Sequence, residues 1–253
     1  MKTGEGLDRV ESNQQSHFGE CDKPGGVAGF TFFQRLWGVI VAPGTTFRDI
    51  AERPTFWGIM LIQLGLGALF AWIISPKLQE FTRITLQKAG QGMSPELLQT
   101  TLKVVAIQAI VGAVLLPVIF WLAKAGLLKL YSQFALGAGT FRQLFSVAVW
   151  AAVPSLISGA VHTVLIMMTE ASKMLSVQTS LALFLPKVEA NSFLFLFLAQ
   201  MDFFTIWGLV LLAIGAGAVF QQSPKKVGFY LFTLWLIFAL ATAGLSSYFG
   251  NQV

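Results

Sequence analysis

Five long apolar stretches dominate the chain, and polar or charged residues separate them. A helix rises about 1.5 Å per residue, so a hydrocarbon core of about 30 Å takes around 20 apolar residues to cross. Since lipid offers the backbone no hydrogen-bond partners, each stretch should be helical. The pattern predicts an all-α fold, a polytopic membrane bundle of five transmembrane helices. Their expected bounds are Phe56 to Ser75, Val104 to Lys124, Phe145 to Met168, Leu196 to Phe220 and Val227 to Phe249.

The residues beside and within these stretches predict smaller features. Lys77 to Lys88 continues the first stretch with apolar residues at helical spacing, so the first two helices should project beyond the bilayer as a hairpin. Leu175 to Pro186 is apolar but too short to cross, and should lie on the surface or dip into the outer leaflet. Pro117 and Pro154 should kink the helices that contain them.

A shorter apolar pattern precedes the first span. Residues 1–29 are rich in Gly, Ser, Gln and Asn and should form a disordered cytoplasmic tail, which leaves residues 30–250 as the membrane domain. Pro43-Gly44 should end a first helix, with Thr45 or Thr46 capping a short second one. The spacing of the apolar residues is typical of an N-terminal amphipathic helix in the inner membrane interface. These residues are Phe30, Phe33, Leu36, Trp37 and Ile40.

A weak internal repeat marks the start of two of these elements. Gly44 to Ile50 precedes Trp57 much as Gly137 to Leu144 precedes Trp150. A glycine break, a threonine cap and an arginine suit a helix that re-enters the membrane from the cytoplasm, and similar helix-start chemistry accounts for the repeat as well as duplication does. The aromatic and basic members form a candidate cytoplasmic-face motif, which consists of Phe47, Arg48, Phe141 and Arg142.

Composition excludes several other classes of protein. Hydrophobic residues make up 55% of the chain and charged residues 11%, against roughly 25% charged in an ordinary soluble domain. The net charge is +5, but the basic residues lie in loops instead of a block, so nucleic acid is not an expected partner. The single cysteine, Cys21, lies in the tail, which excludes a disulfide framework within one chain.

The distribution of Lys and Arg predicts the orientation. With the N-terminus in the cytoplasm, eleven of the 17 basic residues fall inside and six outside. Because cytoplasmic loops carry the excess of positive charge, this placement is favoured, and the C-terminus should lie outside. The six outer residues are Lys77, Arg83, Lys88, Lys103, Lys173 and Lys187.

Two ionisable residues inside predicted spans are functional hypotheses, because a charge is costly there. Asp202 lies in the fourth span and His162 in the third, each about six residues toward the outer side of its midpoint. We therefore predict a polar contact between them. In the structural alternative, Asp202 caps a helix, because the run from Phe193 to Phe220 exceeds one crossing and could break near Gln200. His162 would then be a packing residue.

No motif predicts an enzyme or a cofactor. Two histidines, one of them in the tail, cannot form a His-Glu-x-x-His zinc site, and one membrane aspartate cannot form an aspartyl pair. Gly65-Leu66-Gly67 and Gly215-Ala216-Gly217 lack the rest of a dinucleotide or phosphate loop. We expect neither catalysis nor a bound metal or cofactor.

Five short motifs are spread over the membrane domain: Pro43-Gly44-Thr45-Thr46-Phe47, Gly139-Thr140-Phe141-Arg142-Gln143, Pro154-Ser155, Asp202-Phe203 with Trp207, and Ser223-Pro224-Lys225-Lys226. Together they resemble the Yip-one domain family, in the form of its prokaryotic members, from about Phe30 to Phe249. The resemblance implies five spans and a cytoplasmic N-terminus. Eukaryotic relatives bind prenylated Rab-type GTPases and organise vesicle traffic between the endoplasmic reticulum and the Golgi. This chain lacks their Asp-Leu-Tyr-Gly-Pro type motif, which argues against GTPase binding and favours a prokaryotic plasma membrane.

Three hypotheses of function follow from these observations. The leading one is a non-enzymatic, trafficking-type membrane-organising factor that works through interactions, either with a membrane or cytoplasmic protein partner or by shaping the bilayer around its interfacial helix. The second is a small-solute or ion permease that uses Asp202 and His162. The third, a GTPase receptor, would need the tail and the interfacial helix to capture a GTPase. A homo-oligomer is compatible with each.

Overall fold

The computed structural model describes residues 29–90, 92–134, 137–185 and 191–250, and these ranges are mostly helical. The predicted tail and Cys21 lie outside them. Two 3₁₀ turns, Ala171–Ser176 and Leu181–Phe184, lie between α6 and α7. In chain order the helices are α1 Phe32–Val41, α2 Pro43–Glu52, α3 Trp57–Lys88, α4 Pro95–Phe134, α5 Phe141–Trp150, α6 Val153–Met168, α7 Phe193–Ala199, α8 Phe203–Phe220 and α9 Pro224–Gly250.

Five segments of the described chain are long and apolar enough to cross a membrane: α3, α4, α5 with α6, α8 and α9. Their outer surfaces carry large exposed apolar side chains such as Trp72, Ile119 and Phe229. Water would not tolerate so much contiguous apolar surface, whereas lipid tails solvate it. The all-α, five-span prediction is confirmed, and the predicted short helix before the first span is present as α1.

The first two spans form an antiparallel pair. α3 has 32 residues and α4 has 40, or about 48 and 60 Å at helical rise, so both exceed one crossing as predicted. They approach closely where a Cβ on Gly67 would lie 3.2 Å from the Ala113 carbonyl oxygen. Small residues permit this approach, which membrane helices need because hydrophobic drive is absent between them. Pro117 lies inside α4, which continues through it.

The third span and the long apolar run that contains the fourth span are each interrupted. The expected kink at Pro154 is a full break between α5 and α6, with the proline in the first turn of α6, where its missing N–H costs nothing. The apolar run from Phe193 to Phe220 breaks between α7 and α8, and Asp202 is the N-cap of α8. The structural alternative for Asp202, capping at a break near Gln200, is therefore confirmed.

The junction between α1 and α2 differs from the prediction in its threonine caps. Thr31 is the threonine that caps a helix here: its Oγ1 accepts from the Gln34 N–H at 3.4 Å, and Gln34 Oε1 accepts from the Thr31 N–H at 2.8 Å. α1 ends at Val41, just before Pro43-Gly44 as predicted, and Pro43 is itself the first residue of α2. The hydroxyls of Thr45 and Thr46 donate back to the carbonyl that precedes α2 instead of capping it. A proline at a helix start has no N–H that needs a cap.

The internal repeat is present in a different register. At the start of α5, Thr140 Oγ1 accepts from the Gln143 N–H at 3.3 Å, and Gln143 Oε1 accepts from the Thr140 N–H at 2.9 Å. This is the reciprocal cap of α1, so Thr31-Phe32-Phe33-Gln34 matches Thr140-Phe141-Arg142-Gln143. The predicted pairing with Gly44 to Ile50 is wrong, because no threonine caps α2.

Buried side chains concentrate at the end of the bundle that carries α1 and α2, called the N-terminal face below. α5 is buried on all sides from Leu144 to Trp150. α8 packs against α5 and α2, and a Cβ on Gly215 would overlap the side chains of Val147 and Phe47. The hairpin of α3 and α4 is more exposed. The tightly packed half of the molecule is therefore the half near the N-terminal face.

The segment between α6 and α7 lies at the opposite end. Leu175, Leu183 and Phe184 are exposed there, as expected of the surface segment predicted from Leu175 to Pro186. Pro186 lies outside the described residues. Lys77 connects α3 to the end of α6. Its Nζ donates hydrogen bonds to the carbonyls of Ile166 and Met167 at 2.9 and 2.8 Å. These bonds satisfy carbonyl groups in the last turn of α6.

Candidate functional site

Asp202 and His162 meet on a shared hydroxyl group and not directly. Thr179 Oγ1 donates to Asp202 Oδ2 at 2.8 Å and lies 2.7 Å from His162 Nε2. The predicted direct contact is thus replaced by a bridge of one residue, called the Thr179 relay below. The hydroxyl donates its one proton to the carboxylate, and its oxygen lies within hydrogen-bond distance of the imidazole nitrogen.

Backbone pairing positions the Thr179 relay. Ser180 and Asp202 form an isolated antiparallel bridge, and Leu181 N–H donates to Met201 C=O at 3.1 Å. The two carboxylate oxygens have separate roles, since Oδ1 accepts from the Thr205 N–H at 3.0 Å in the cap of α8 and Oδ2 accepts from Thr179. Sequence reasoning missed Thr179, because a threonine in an irregular segment carries no periodic signal.

His162 also lines a cavity of about 720 Å³ between α3, α4 and α6, called the hairpin cavity below. Most of its wall is apolar, and the helices contribute several aromatic rings. A small number of polar groups on an apolar wall is typical of a site for a small molecule or lipid. The polar side chains of the lining are Gln63, Gln108, Lys124, Ser155, His162 and Thr163.

A buried ion pair lies at the N-terminal face. Arg35 Nε donates to Asp49 Oδ2 at 2.7 Å, and Arg35 Nη1 donates to Arg53 C=O at 3.1 Å and Thr55 Oγ1 at 2.5 Å. The side chains of the ion pair are 6% and 13% exposed, so water screens the pair weakly. We call these four residues the Arg35 cluster. The amphipathic pattern of α1 offered no signal for a partner of Arg35 that lies 14 residues away.

A second group of hydrogen bonds ties the Arg35 cluster to α5. The carbonyl of Thr55 accepts from Ser146 Oγ at 3.2 Å and from Trp150 Nε1 at 2.8 Å. Gln143 Nε2 donates to the carbonyl of Ala51, at the end of α2, at 2.8 Å. Every buried polar side-chain atom of the described residues has a partner. α1 and α2 are therefore held on the bundle in a specific position, not merely by apolar contact.

The candidate cytoplasmic-face motif is divided between core and surface. Phe47 is fully buried, whereas Arg48, Phe141 and Arg142 are exposed. Arg48 lines a cleft of about 570 Å³ between α2, the start of α5 and the end of α8, called the N-terminal cleft below. Glu52, Gln143, Gln221 and Gln222 supply its other polar side chains. The structure thus leaves three residues of the motif accessible to a partner.

The described residues contain no group of three or more His, Cys, Asp or Glu side chains placed to hold a metal ion. The chemical capacity of the Thr179 relay is hydrogen bonding and proton exchange between a carboxylate, a hydroxyl and an imidazole. The N-terminal face can contact a partner through its exposed basic and aromatic side chains.

Five helical spans, an apolar outer surface and a fixed helix pair at one end define a polytopic helical membrane protein. The chain belongs to the Yip1 domain family, whose model matches residues 37–245. This match confirms the resemblance inferred from the motifs. The membrane protein YknW of Bacillus subtilis (strain 168) is 25% identical over 226 residues, which cover 85% of this chain and 92% of that protein, as expected of a prokaryotic-type member. No solved structure matches the chain.

Proposed function

We propose that this protein is a non-enzymatic membrane-organising factor that acts through its N-terminal face, in the cytoplasmic leaflet of a prokaryotic plasma membrane. The observation that carries the proposal is an apolar stripe on α1. Phe33, Trp37 and Val41, spaced four residues apart, are 77%, 68% and 61% exposed. Residues at this spacing share one face of a helix. Such a face is stable when it is inserted at the boundary of headgroups and acyl chains.

The Arg35 cluster gives this stripe a mechanical connection to the spans. Arg35 lies on α1 and bonds to residues at and after the end of α2, whose chain then enters α3. The carbonyl of Thr55 is bonded in turn to Ser146 and Trp150 of α5, the most buried helix. We call the inserted helix α1, with its apolar stripe, the wedge. If the wedge could rotate freely relative to the spans, its orientation would follow the shape of the lipid around it. A wedge fixed to the bundle instead imposes its own angle on one leaflet.

Exposed basic residues support a cytoplasmic position for the N-terminal face. They are attracted to anionic lipids, which are typical of the cytoplasmic leaflet, and they follow the rule that cytoplasmic loops are positive. The N-terminal cleft lies on the same face and offers a protein partner both signs of charge through Arg48 and Glu52. The exposed basic residues are Arg48, Arg142, Lys225 and Lys226.

Reconstitution in vesicles tests the proposal. Vesicles of phosphatidylethanolamine and phosphatidylglycerol that contain the natural chain should become smaller or tubular with increasing protein density, as measured by electron cryomicroscopy. A Phe33→Gln, Trp37→Gln double variant should lose this effect, because two polar side chains remove the large rings of the stripe. Phe229→Gln is the matched control, since Phe229 is equally exposed but lies on α9.

Two results would count against the proposal: vesicles of unchanged shape with the natural chain, or equal remodelling by the Phe33→Gln, Trp37→Gln variant. Partner contact is tested separately by a photocrosslinking residue at Arg142 in native membranes. A protein captured at Arg142 but not at Phe229 supports the interaction role, whereas identical capture at the two positions opposes it.

The Thr179 relay and the hairpin cavity favour a second candidate, a small-solute or ion permease that uses Asp202 and His162. His162 belongs to both features, so a path for a proton or solute would pass its ring. Asp202→Asn is a clean test, because asparagine caps a helix as well as aspartate does and the fold should persist. Flux into proteoliposomes that this variant abolishes would support a permease. Absence of flux for a broad solute panel would favour the membrane-organising role.

A further inference from the structure

Lys124 is a cation inside the apolar part of α4. It makes no hydrogen bond or ion pair with any residue that the structure describes. Its side chain is half-buried and borders the hairpin cavity. A charge in these surroundings is costly unless a counter-charge compensates it. The chain provides none in the cavity, because Lys124 is the only formally charged residue of the described lining.

The hairpin cavity is long as well as apolar. Its lining on α4 extends from Gln108 to Lys124, which are 16 residues apart and therefore about 24 Å apart at helical rise. One leaflet accounts for about half of a hydrocarbon core of 30 Å. The cavity is thus deep enough for one acyl chain. Lys124 lies toward the N-terminal face, and Gln108 and His162 lie toward the opposite end.

The cavity also communicates with the surface that faces lipid. Leu116 and Phe120 belong to its lining and are among the exposed apolar side chains of α4. An occupant can therefore enter sideways from the bilayer without passing through water. This favours an amphiphile from the membrane over a water-soluble anion.

From these observations we infer that the hairpin cavity binds one phospholipid with a net negative headgroup. An acyl chain lies along the cavity wall, and the headgroup phosphate accepts a charge-assisted hydrogen bond from Lys124 Nζ. A lysine ammonium is a suitable point charge for phosphate. A lipid without net charge would fill the same volume but would leave the site with an excess positive charge. This inference concerns a different surface from the α1 stripe and does not depend on the proposed function.

Photolabelling in nanodiscs tests the inference. The natural chain is reconstituted with phosphatidylglycerol or phosphatidylcholine, each with a diazirine on one acyl chain, and the labelled peptides are identified by mass spectrometry. Phosphatidylglycerol should label the part of α4 between Gly112 and Phe120 about tenfold more than phosphatidylcholine does. This is the factor that one charge-assisted hydrogen bond can supply.

Substitutions at Lys124 assign the preference to its charge. Lys124→Met should abolish the difference between the two lipids, whereas Lys124→Arg should retain it. Lys103→Met is the matched control, since Lys103 is an exposed lysine of the same helix that does not line the cavity. Equal labelling by both lipids in the natural chain, or an unchanged preference in Lys124→Met, would overturn the inference.

A cavity-filling variant tests the location independently of charge. Gly112 lines the cavity, and a Cβ there would meet Leu116 Cδ1 at 3.8 Å, an ordinary van der Waals contact, so the position accepts a side chain. Gly112→Phe should reduce labelling of this part of α4 by both lipids and leave labelling of α9 unchanged. Undiminished phosphatidylglycerol labelling in Gly112→Phe would show that the lipid lies on the outer surface instead, and would also overturn the inference.

Discussion

Replacing Arg35 by methionine should lower the free energy of unfolding by about 3–5 kcal/mol, the cost of breaking a buried ion pair from one side. The substitution leaves Asp49 buried without its counter-charge and removes the donor to Arg53 C=O and Thr55 Oγ1. Methionine fills much of the same volume, so the loss is mainly electrostatic. Unfolding of the purified protein by SDS in mixed micelles measures the change.

Two further variants identify the cause. Arg48→Met removes an exposed arginine next to Asp49 in the sequence and should change the stability by no more than about 0.5 kcal/mol. In the double variant Arg35→Met, Asp49→Leu, part of the lost stability should return, because neither charge of the buried ion pair is then left without its counter-charge. If Arg35→Met matched the natural chain in stability, the Arg35 cluster would not fix α1, and the wedge mechanism would lose its basis.

Trp150→Ala should cost a similar amount, about 3–5 kcal/mol, through loss of packing. The indole is buried, its centroid lies 5.6 Å from that of Phe32, and its Nε1 donates to the Thr55 carbonyl. Alanine at this position leaves a cavity between α1 and α5. The Thr55 carbonyl also loses one of its two hydrogen-bond donors. The same SDS titration measures the loss.

Conservative variants separate the two contributions of Trp150. Trp150→Phe keeps most of the apolar volume but not the N–H, so it should cost about 1–2 kcal/mol. Trp37→Phe is the control on the exposed face of α1 and should stay within about 0.5 kcal/mol of the natural chain. Equal losses for Trp150→Ala and Trp150→Phe would show that the hydrogen bond, not the packing, dominates at this position.

Hydropathy alone predicted the five spans, because lipid leaves the backbone no alternative to the helix. It did not predict where each helix starts, since caps depend on the geometry of a few polar side chains. Thr31 and Thr46 both precede apolar helical pattern, yet only Thr31 has a glutamine three residues later that can bond back to its backbone. The signal for the correct cap was present in the sequence as Thr-x-x-Gln, and it recurs at Thr140.

The contacts between distant segments were harder to predict. Depth counting placed Asp202 and His162 at the same level, which was sufficient to bring them near each other. It gave no information on Thr179, whose position depends on a backbone bridge in an irregular segment. The burial of Arg35 could not be predicted either, because an amphipathic pattern gives no sign of the partner on the next helix that allows an arginine to be buried.

The hydrogen bonds to the Thr55 carbonyl join residues that are synthesised at different times. This carbonyl accepts hydrogen bonds from Ser146 and Trp150, which follow it in the chain by 91 and 95 residues. A ribosome that has just completed α2 has not yet made the residues that anchor it. Until α5 has been translated and inserted, α1 and α2 lack these bonds, while α3 and α4 can already pair. The N-terminal end of the membrane domain is thus synthesised first but reaches its final position only after the third span has entered the bilayer.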